Sequence, residues 1–300
     1  MAPDAAHIPV MPQQALELLN LSPGATAVDG TLGMGGHASL MARALGADGH
    51  LIGIDRDDAS LRQAERKLGP LKLKIDLLKG RFSTLDTILA GLKVSAIDGI
   101  LLDLGISSFQ LDDPGRGFAF KSEGPLDMRM DTQSQGPTAA DLVNGLKEAQ
   151  LEKIISEFGE ERFARRIAAA IVMHRAGAKI TTTQSLADII LRSLPRGYTR
   201  GRIHPATRTF QALRIAVNGE LDELASGLDV CFRMLRKGGR LCVIAFHSLE
   251  DRLVKNKFKS WASAEEGLIL TKRPLTASDE ECASNPRSRS AKMRAVERLK

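Results

Sequence analysis

The 300-residue chain contains only three cysteines, Cys231, Cys242 and Cys282, odd in number and widely spaced. That excludes a disulfide framework and a paired-cysteine metal site. The six histidines (His7, His37, His50, His174, His204, His247) include no HExxH and no pair four residues apart. No metal is therefore expected. No apolar run approaches the about 18 residues that a membrane helix needs, so no membrane partner is expected either. Met1-Ala2-Pro3-Asp4 lacks the basic start and apolar stretch of a secretory signal, which makes a cytoplasmic protein the expectation. There are no internal repeats, and no sustained heptads appear. Oligomeric state, a homodimer included, stays open at this level.

The composition itself, 43% hydrophobic and 26% charged, is that of an ordinary globular protein. At roughly 150 residues per domain the length predicts two domains. The net charge of +6 is unevenly spread. Residues 189–219 hold Arg192, Arg196, Arg200, Arg202, Arg208 and Arg214 with no acid, and residues 286–300 hold six basic residues against Glu297. These two segments carry +6 and +5, so the other 254 residues net −5. An acidic body with two concentrated basic segments points to a polyanionic partner, although two solvated surface segments would look the same.

Strands and helices alternate from the start. Thr26 to Asp29, His50 to Asp55 and Ile97 to Asp103 read as buried strands, with a weaker one near Leu77-Leu78. Gly36 to Leu45 and Asp57 to Leu68 read as helices, and Ser83 as the cap of another that reaches about Leu92. This alternation predicts an α/β, Rossmann-like, doubly wound parallel sheet. The next buried strand, Leu241 to Phe246, comes after residues 105–240, far more than the dozen or so a crossover requires. The excess reads as an inserted all-helical domain. Its helices are Ala149 to Phe158, Glu160 to Ala176, and Leu186 to Leu194, the last with cap candidates at Thr181 to Thr183. Arg208 to Val217 and Glu220 to Leu235 read as returning to the main sheet. The predicted organisation is 1–112, an insertion at 113–205, and 206–300.

Asp29-Gly30-Thr31-Leu32-Gly33-Met34-Gly35-Gly36-His37 follows the first strand and opens a helix. Glycines there let backbone approach a ligand, and the helix start offers free N–H groups. Asp55 ends the second strand 19 residues after Gly36, where an acid accepts from ribose hydroxyls or caps the next helix. NAD and S-adenosylmethionine both fit such a turn. The acid Asp29 before the glycines favours a ligand bearing an ammonium and a sulfonium over a pyrophosphate, because like charges repel in a low-dielectric cleft.

Asp103-Leu104-Gly105-Ile106-Ser107-Ser108-Phe109-Gln110 leaves the fourth strand where an open α/β sheet places its ligand. An acid there suits accepting a proton from an amine. C5 methylation of a pyrimidine needs a thiol adduct, and no cysteine ends this strand. A nitrogen or oxygen acceptor remains. Ser107 and Ser108 read either as substrate contacts or as turn residues. His247-Ser248-Leu249-Glu250-Asp251-Arg252 ends the fifth strand; it lines the pocket or starts a helix, with Ser248 capping and Asp251 at the third position.

Several motifs occur in one order along the chain: His7-Ile8-Pro9-Val10, the glycine turn, Asp103 to Ser108, Arg116-Gly117-Phe118-Ala119-Phe120, and Gly124-Pro125-Leu126-Asp127-Met128-Arg129-Met130. Pro205 to Arg214, His247 to Arg252, and Asn285-Pro286-Arg287-Ser288-Arg289-Ser290-Ala291-Lys292 complete the set. Together they resemble the bacterial 16S rRNA cytosine-N4 methyltransferases, the RsmH or MraW family, over nearly the whole chain. The resemblance implies a class I methyltransferase sheet with an inserted helical domain. It implies methyl transfer from S-adenosyl-L-methionine to the N4 amine of a decoding-centre cytosine, with 16S rRNA and the small ribosomal subunit as partners. It also implies cofactor contacts at Gly35, Gly36, His37, Asp55, Phe82, Asp103 and Gln110, with Phe82 near the adenine. Asp103 is the catalytic candidate. Substrate candidates are Ser107, Ser108, Arg202, Arg208, Arg214, His247, Arg252, Arg287, Arg289 and Lys292. Thr31 stands where the methyltransferase turn usually has glycine, and the Pro-Pro-aromatic motif of many amino methyltransferases is missing. Two other classes are compatible with the residues: a small-molecule or protein methyltransferase with incidental basic segments, and an RNA-binding assembly factor without turnover.

Overall fold

A computed structural model describes residues 8–195, 198 and 204–300. The chain divides into two compact units, 1–105 together with 221–300, and 106–220.

The first unit begins with α1 (Pro12–Leu19), β1 (Thr26–Asp29), α2 (Gly36–Leu45), β2 (His50–Asp55), α3 (Asp58–Leu68), β3 (Lys74–Lys79), a 3-10 turn at Phe82–Thr84, α4 (Leu85–Gly91) and β4 (Ile97–Asp103). The second unit follows with α5 (Ser108–Asp112), α6 (Ala139–Gly145), α7 (Glu148–Gly159), α8 (Ala164–Arg175), α9 (Thr183–Ser193) and α10 (Thr207–Asn218). The chain returns through α11 (Glu220–Met234), β5 (Leu235–Ala245), α12 (Ser248–Ser263), β6 (Gly267–Ile269), α13 (Asp279–Ser284) and β7 (Lys292–Arg298).

The seven strands form one sheet in the order β3-β2-β1-β4-β5-β7-β6. Strands β1 to β5 run parallel, and β7 is antiparallel to both its neighbours. Alternate residues of the central strands feed two cores. Val28, Ile100, Leu102 and Val243 pack on one side with Leu224, Leu228 and Phe232 of α11. Ala27, Leu101, Cys242 and Ile244 pack on the other with α1 and α2, through Ala15, Leu19, Met41 and Leu45. Burial on both faces is why these strands read as unbroken apolar runs. Each such Leu, Ile or Val contributes about 1.5–3 kcal/mol of transfer free energy. Strand order reverses at β1 and β4, and the C-terminal ends of those strands are the switch point where such sheets hold ligands.

The helical unit has its own core, built from Leu151, Ile155, Ile167, Ile171, Leu186, Ile190, Phe210 and Leu213. This corrects the reading of Arg208 to Val217. That helix, α10, belongs to the helical unit, because its apolar stripe (Phe210, Leu213) joins this core and the side chain of Gln211 donates to the Phe158 carbonyl at the end of α7. The unit spans 106–220, wider than the expected 113–205 on both sides. The Ser83 cap also differs: Ser83 lies inside the 3-10 turn, and Thr84 precedes α4 with no side-chain cap bond. Among the described residues, no helix is long and apolar enough to cross a membrane.

Candidate active site

The glycine turn is held by backbone on both flanks. Gly30 N–H donates to the Leu101 carbonyl at 2.9 Å, and Leu32 N–H to the Ile54 carbonyl at 2.9 Å. A Cβ on Gly30 would stand 2.6 Å from Leu102 Cδ2 and 3.2 Å from Phe82 Cβ, so any larger residue would crowd the Leu102 and Phe82 side chains. Gly35 has φ +73° immediately before α2, a conformation that L side chains resist. Gly36 then begins α2, and His37 is buried in its first turn.

Three acids surround this turn: Asp29, which is buried, and Asp55 and Asp103, which are partly exposed. Asp29 accepts from Thr31 N–H at 3.2 Å and from the Ala38 amide in the first turn of α2. Burial pushes its carboxyl up to about 7, and the charge of Asp55 adds to the rise. Asp55 accepts from Gly33 N–H at 2.7 Å and from Asp57 N–H at 2.9 Å, and burial raises it too. Those two bonds use part of its roughly four acceptor positions, leaving others for hydroxyls. Asp103 is raised well above the usual carboxylate range, first by burial and then by the charges of Asp29 and Glu250. Its Oδ2 lies 3.6 Å from His37 Nε2, and its Oδ1 is buried with no hydrogen-bond partner among the described residues. Thr31 Oγ1 accepts the Asp103 backbone N–H at 2.6 Å, tying the glycine turn to the end of β4. The departure from glycine at Thr31 thus has a structural use that the sequence did not disclose.

The other expected cofactor residues are placed differently. Phe82 is 6% exposed and belongs to the sheet core, its ring packed where a Cβ on Gly227 of α11 would be 2.3 Å from two ring carbons. It is a buried wall beside Gly30, not an open stacking platform. Gln110 lies in the helical unit and serves a capping box: its Oε1 accepts from Ser107 N–H at 3.1 Å, while Ser107 Oγ accepts from Gln110 N–H at 3.2 Å. Ser107 is therefore the N-cap of α5, and Ser108 its first residue.

At the end of β5 the cap is His247, not Ser248. His247 Nδ1 accepts from Glu250 N–H at 3.3 Å, and Glu250 Oε2 accepts from the backbone N–H of Phe246 (2.8 Å) and His247 (3.3 Å). The buried Glu250 carboxylate, which sequence reasoning passed over, contributes to the Asp103 shift. It escaped notice because an acid three residues into a helix reads as ordinary capping.

The basic candidates divide. Arg214 makes a two-pronged bond to Glu220, 2.8 Å at each end, with both side chains largely buried. This corrects its assignment to substrate, since that guanidinium is already committed. Arg208 donates to the Glu160 carbonyl and lies 4.0 Å from Glu161. Lys292 and Arg294 share Asp251, at 3.5 and 2.6 Å. Arg252 and Arg289 are exposed and Arg287 is half-buried. Arg202 lies outside the described residues. A basic face went unpredicted: Arg162, Arg165 and Arg166, at the start of α8, are exposed without a carboxylate partner among the described residues. In any sequence window Glu157, Glu160 and Glu161 cancel them.

A parallel sheet closed by an antiparallel seventh strand, with a glycine turn and desolvated acids at its switch point, defines an S-adenosylmethionine-dependent methyltransferase of the Rossmann-like class. The residues fit that cofactor, because a sulfonium and an ammonium are the charges that Asp29 and the unpartnered Asp103 oxygen lack. The chain belongs to the MraW methylase family, whose model matches residues 4–299. Curated relatives named ribosomal RNA small subunit methyltransferase H include that of Syntrophotalea carbinolica, 49% identical over 98% of each chain. That of Geobacter sulfurreducens is 51% identical over 98% of this chain and 99% of its own. That of Persephonella marina is 48% identical, again over 98% and 99%. Among solved structures, a Streptococcus mutans methyltransferase in complex with SAH is similar at a TM-score of 0.48 and 12% identity, over 98% of this chain and 100% of that one.

Proposed function

We propose that this protein methylates the N4 amine of a decoding-centre cytosine in 16S rRNA of the small ribosomal subunit, in the cytoplasm. The observation that carries the reading is Asp103, a desolvated carboxylate at the switch point with one buried oxygen unsatisfied. Bound S-adenosyl-L-methionine supplies an electrophilic methyl on a sulfonium. The glycine turn and the Gly36 end of α2 give the donor a close backbone floor. Asp55 offers its remaining acceptor positions to the ribose hydroxyls. Asp29 and Asp103 balance positive charge.

The target cytosine leaves its stack to reach the site, since its amine is inaccessible inside a helix. Asp103 then accepts an N–H of the amine, turns its lone pair toward the methyl, and takes the proton that the nitrogen releases. A carboxylate raised above its usual range is better matched to that proton than an exposed one. Cys231 and Cys242 are buried, and burial pushes both thiols far up, so neither supplies the thiolate that carbon methylation requires. Arg287, Arg289 and Arg252 are the candidates to meet RNA phosphates, and the helical unit 106–220 is proposed to serve substrate recognition.

Nucleoside analysis of 16S rRNA from cells lacking the gene tests this directly. The N4-methylated cytidine should disappear, and purified protein with radiolabelled donor should restore it on small subunits or rRNA. Label appearing in protein or small molecules instead, or no transfer at all, would overturn the assignment.

A further inference from the structure

Glu223 lies in the first turn of α11, and its side chain is 3% exposed. Its Oε1 accepts from Ser83 N–H at 3.2 Å. Its Oε2 accepts from Arg81 Nη1 at 3.4 Å and lies 3.8 Å from Arg56 Nη2. Arg56 directly follows Asp55 at the end of β2, and Arg81 directly precedes Phe82 after β3. One buried carboxylate therefore joins the two loops that leave β2 and β3.

The same face of α11 continues the grip. Gly227, one turn on, leaves the space that the Phe82 ring fills, and Cys231 Sγ donates to the Phe82 carbonyl at 3.8 Å. Residues 223, 227 and 231 recur every four positions, so a single helical stripe meets this turn. The charge matters as much as the shape. The Arg56 guanidinium already acts on Asp55, pulling its carboxyl downward against burial. Loss of the anion at 223 would leave the pull of Arg56 on Asp55 unopposed from that side, and a closer pairing would use the acceptor positions meant for ribose.

We propose that Glu223 is a positioning residue for the adenosine half of the cofactor: it holds the β2 and β3 loops together and keeps Arg56 away from Asp55. This rests on the reading of Asp55 as the contact for the cofactor's ribose. It acts on donor affinity and leaves the methyl-transfer step alone.

The test uses Glu223→Gln, which keeps an acceptor for Ser83 N–H and removes the charge. S-adenosylhomocysteine binding is measured by calorimetry, and donor KM and kcat on small subunits are measured beside it. The dissociation constant and the donor KM should rise about tenfold with kcat at saturation unchanged. Adding Arg56→Gln should return affinity to within about twofold of wild type, a rescue that a merely structural role would not give. An unchanged dissociation constant, a fall in kcat alone, or no rescue overturns the proposal. If E223Q does not fold, the comparison moves to R56Q against E223Q/R56Q: loss of Glu223 should then shift affinity less than twofold, and a tenfold loss overturns the proposal. Wild-type protein that binds no S-adenosylhomocysteine would instead refute the cofactor reading on which the proposal stands.

Discussion

Replacing Asp29 with Asn should stabilise the ligand-free protein while weakening its hold on the donor. Burial lifts the Asp29 carboxyl from 3.8 to about 7. Between those values the folded chain keeps the proton and the unfolded chain releases it. Stability therefore falls as pH rises through this window and is level above it. A rise of about three pH units at 1.36 kcal/mol each makes the ionised group cost about 4 kcal/mol above pH 7. Asn offers one side-chain oxygen where the carboxylate offers two to the Thr31 and Ala38 amides, a loss of about 1 kcal/mol. D29N should thus gain about 3 kcal/mol at pH 8, equivalent to roughly 6–12 °C in Tm for a unit of this size. At pH 5 most of the wild-type cost is absent, and the gain should shrink below about 1 kcal/mol. Urea unfolding followed by circular dichroism at both pH values measures this. Saturating S-adenosylmethionine should raise Tm less in D29N than in wild type, because one anion facing its charge is gone. A variant that is destabilised equally at both pH values, or whose gain ignores pH, would refute the account of Asp29 as a strained acid held ready for a cation.

Asp103→Asn should lower turnover by a factor of about 10²–10⁴, with far-UV circular dichroism unchanged; turnover near the wild-type level removes Asp103 from the mechanism. The acidic limb of the wild-type rate profile should lie above the ordinary carboxylate range near 4, because burial raises Asp103. If about six cations meet phosphates, log affinity for rRNA should fall with log salt at a slope of roughly −4 to −5, and Arg289→Ala should flatten it by a little under one; a flat response contradicts a phosphate interface. Iodoacetamide on native protein at pH 8 should label Cys282 and spare Cys231 and Cys242, as mass spectrometry of peptides would report; rapid labelling of either buried thiol would contradict its raised pKa.

The sheet was legible because each central strand is buried on both faces and so reads as a plain apolar run, from Thr26 to Asp29 and from Ile97 to Asp103. The glycine turn and the three acids were legible because their chemistry follows from strand ends. What escaped were choices made by tertiary packing. Helix α10 carries an amphipathic stripe that would suit either unit, and only its packing against the other helices of residues 106–220 assigns it. Arg214 reads as surface charge until Glu220, six residues on, closes on it. His247 took the cap from Ser248, since a ring nitrogen can accept an amide as well as a hydroxyl can. Phe82 faces the core because Gly227, 145 residues later in the chain, leaves room for it.

The division of the chain has a bearing on its birth. Residues 106–220 are contiguous, so every partner in that core has been synthesised once Glu220 emerges. The sheet is not so placed: β4 must wait for β5, its neighbour, until the whole helical unit has been translated, and β7 then inserts between β5 and β6. During that interval β4 presents an unpaired edge of Ile100, Leu101 and Leu102, the kind of strand that other chains capture. The helical unit can therefore complete its core before the catalytic sheet receives its last strands.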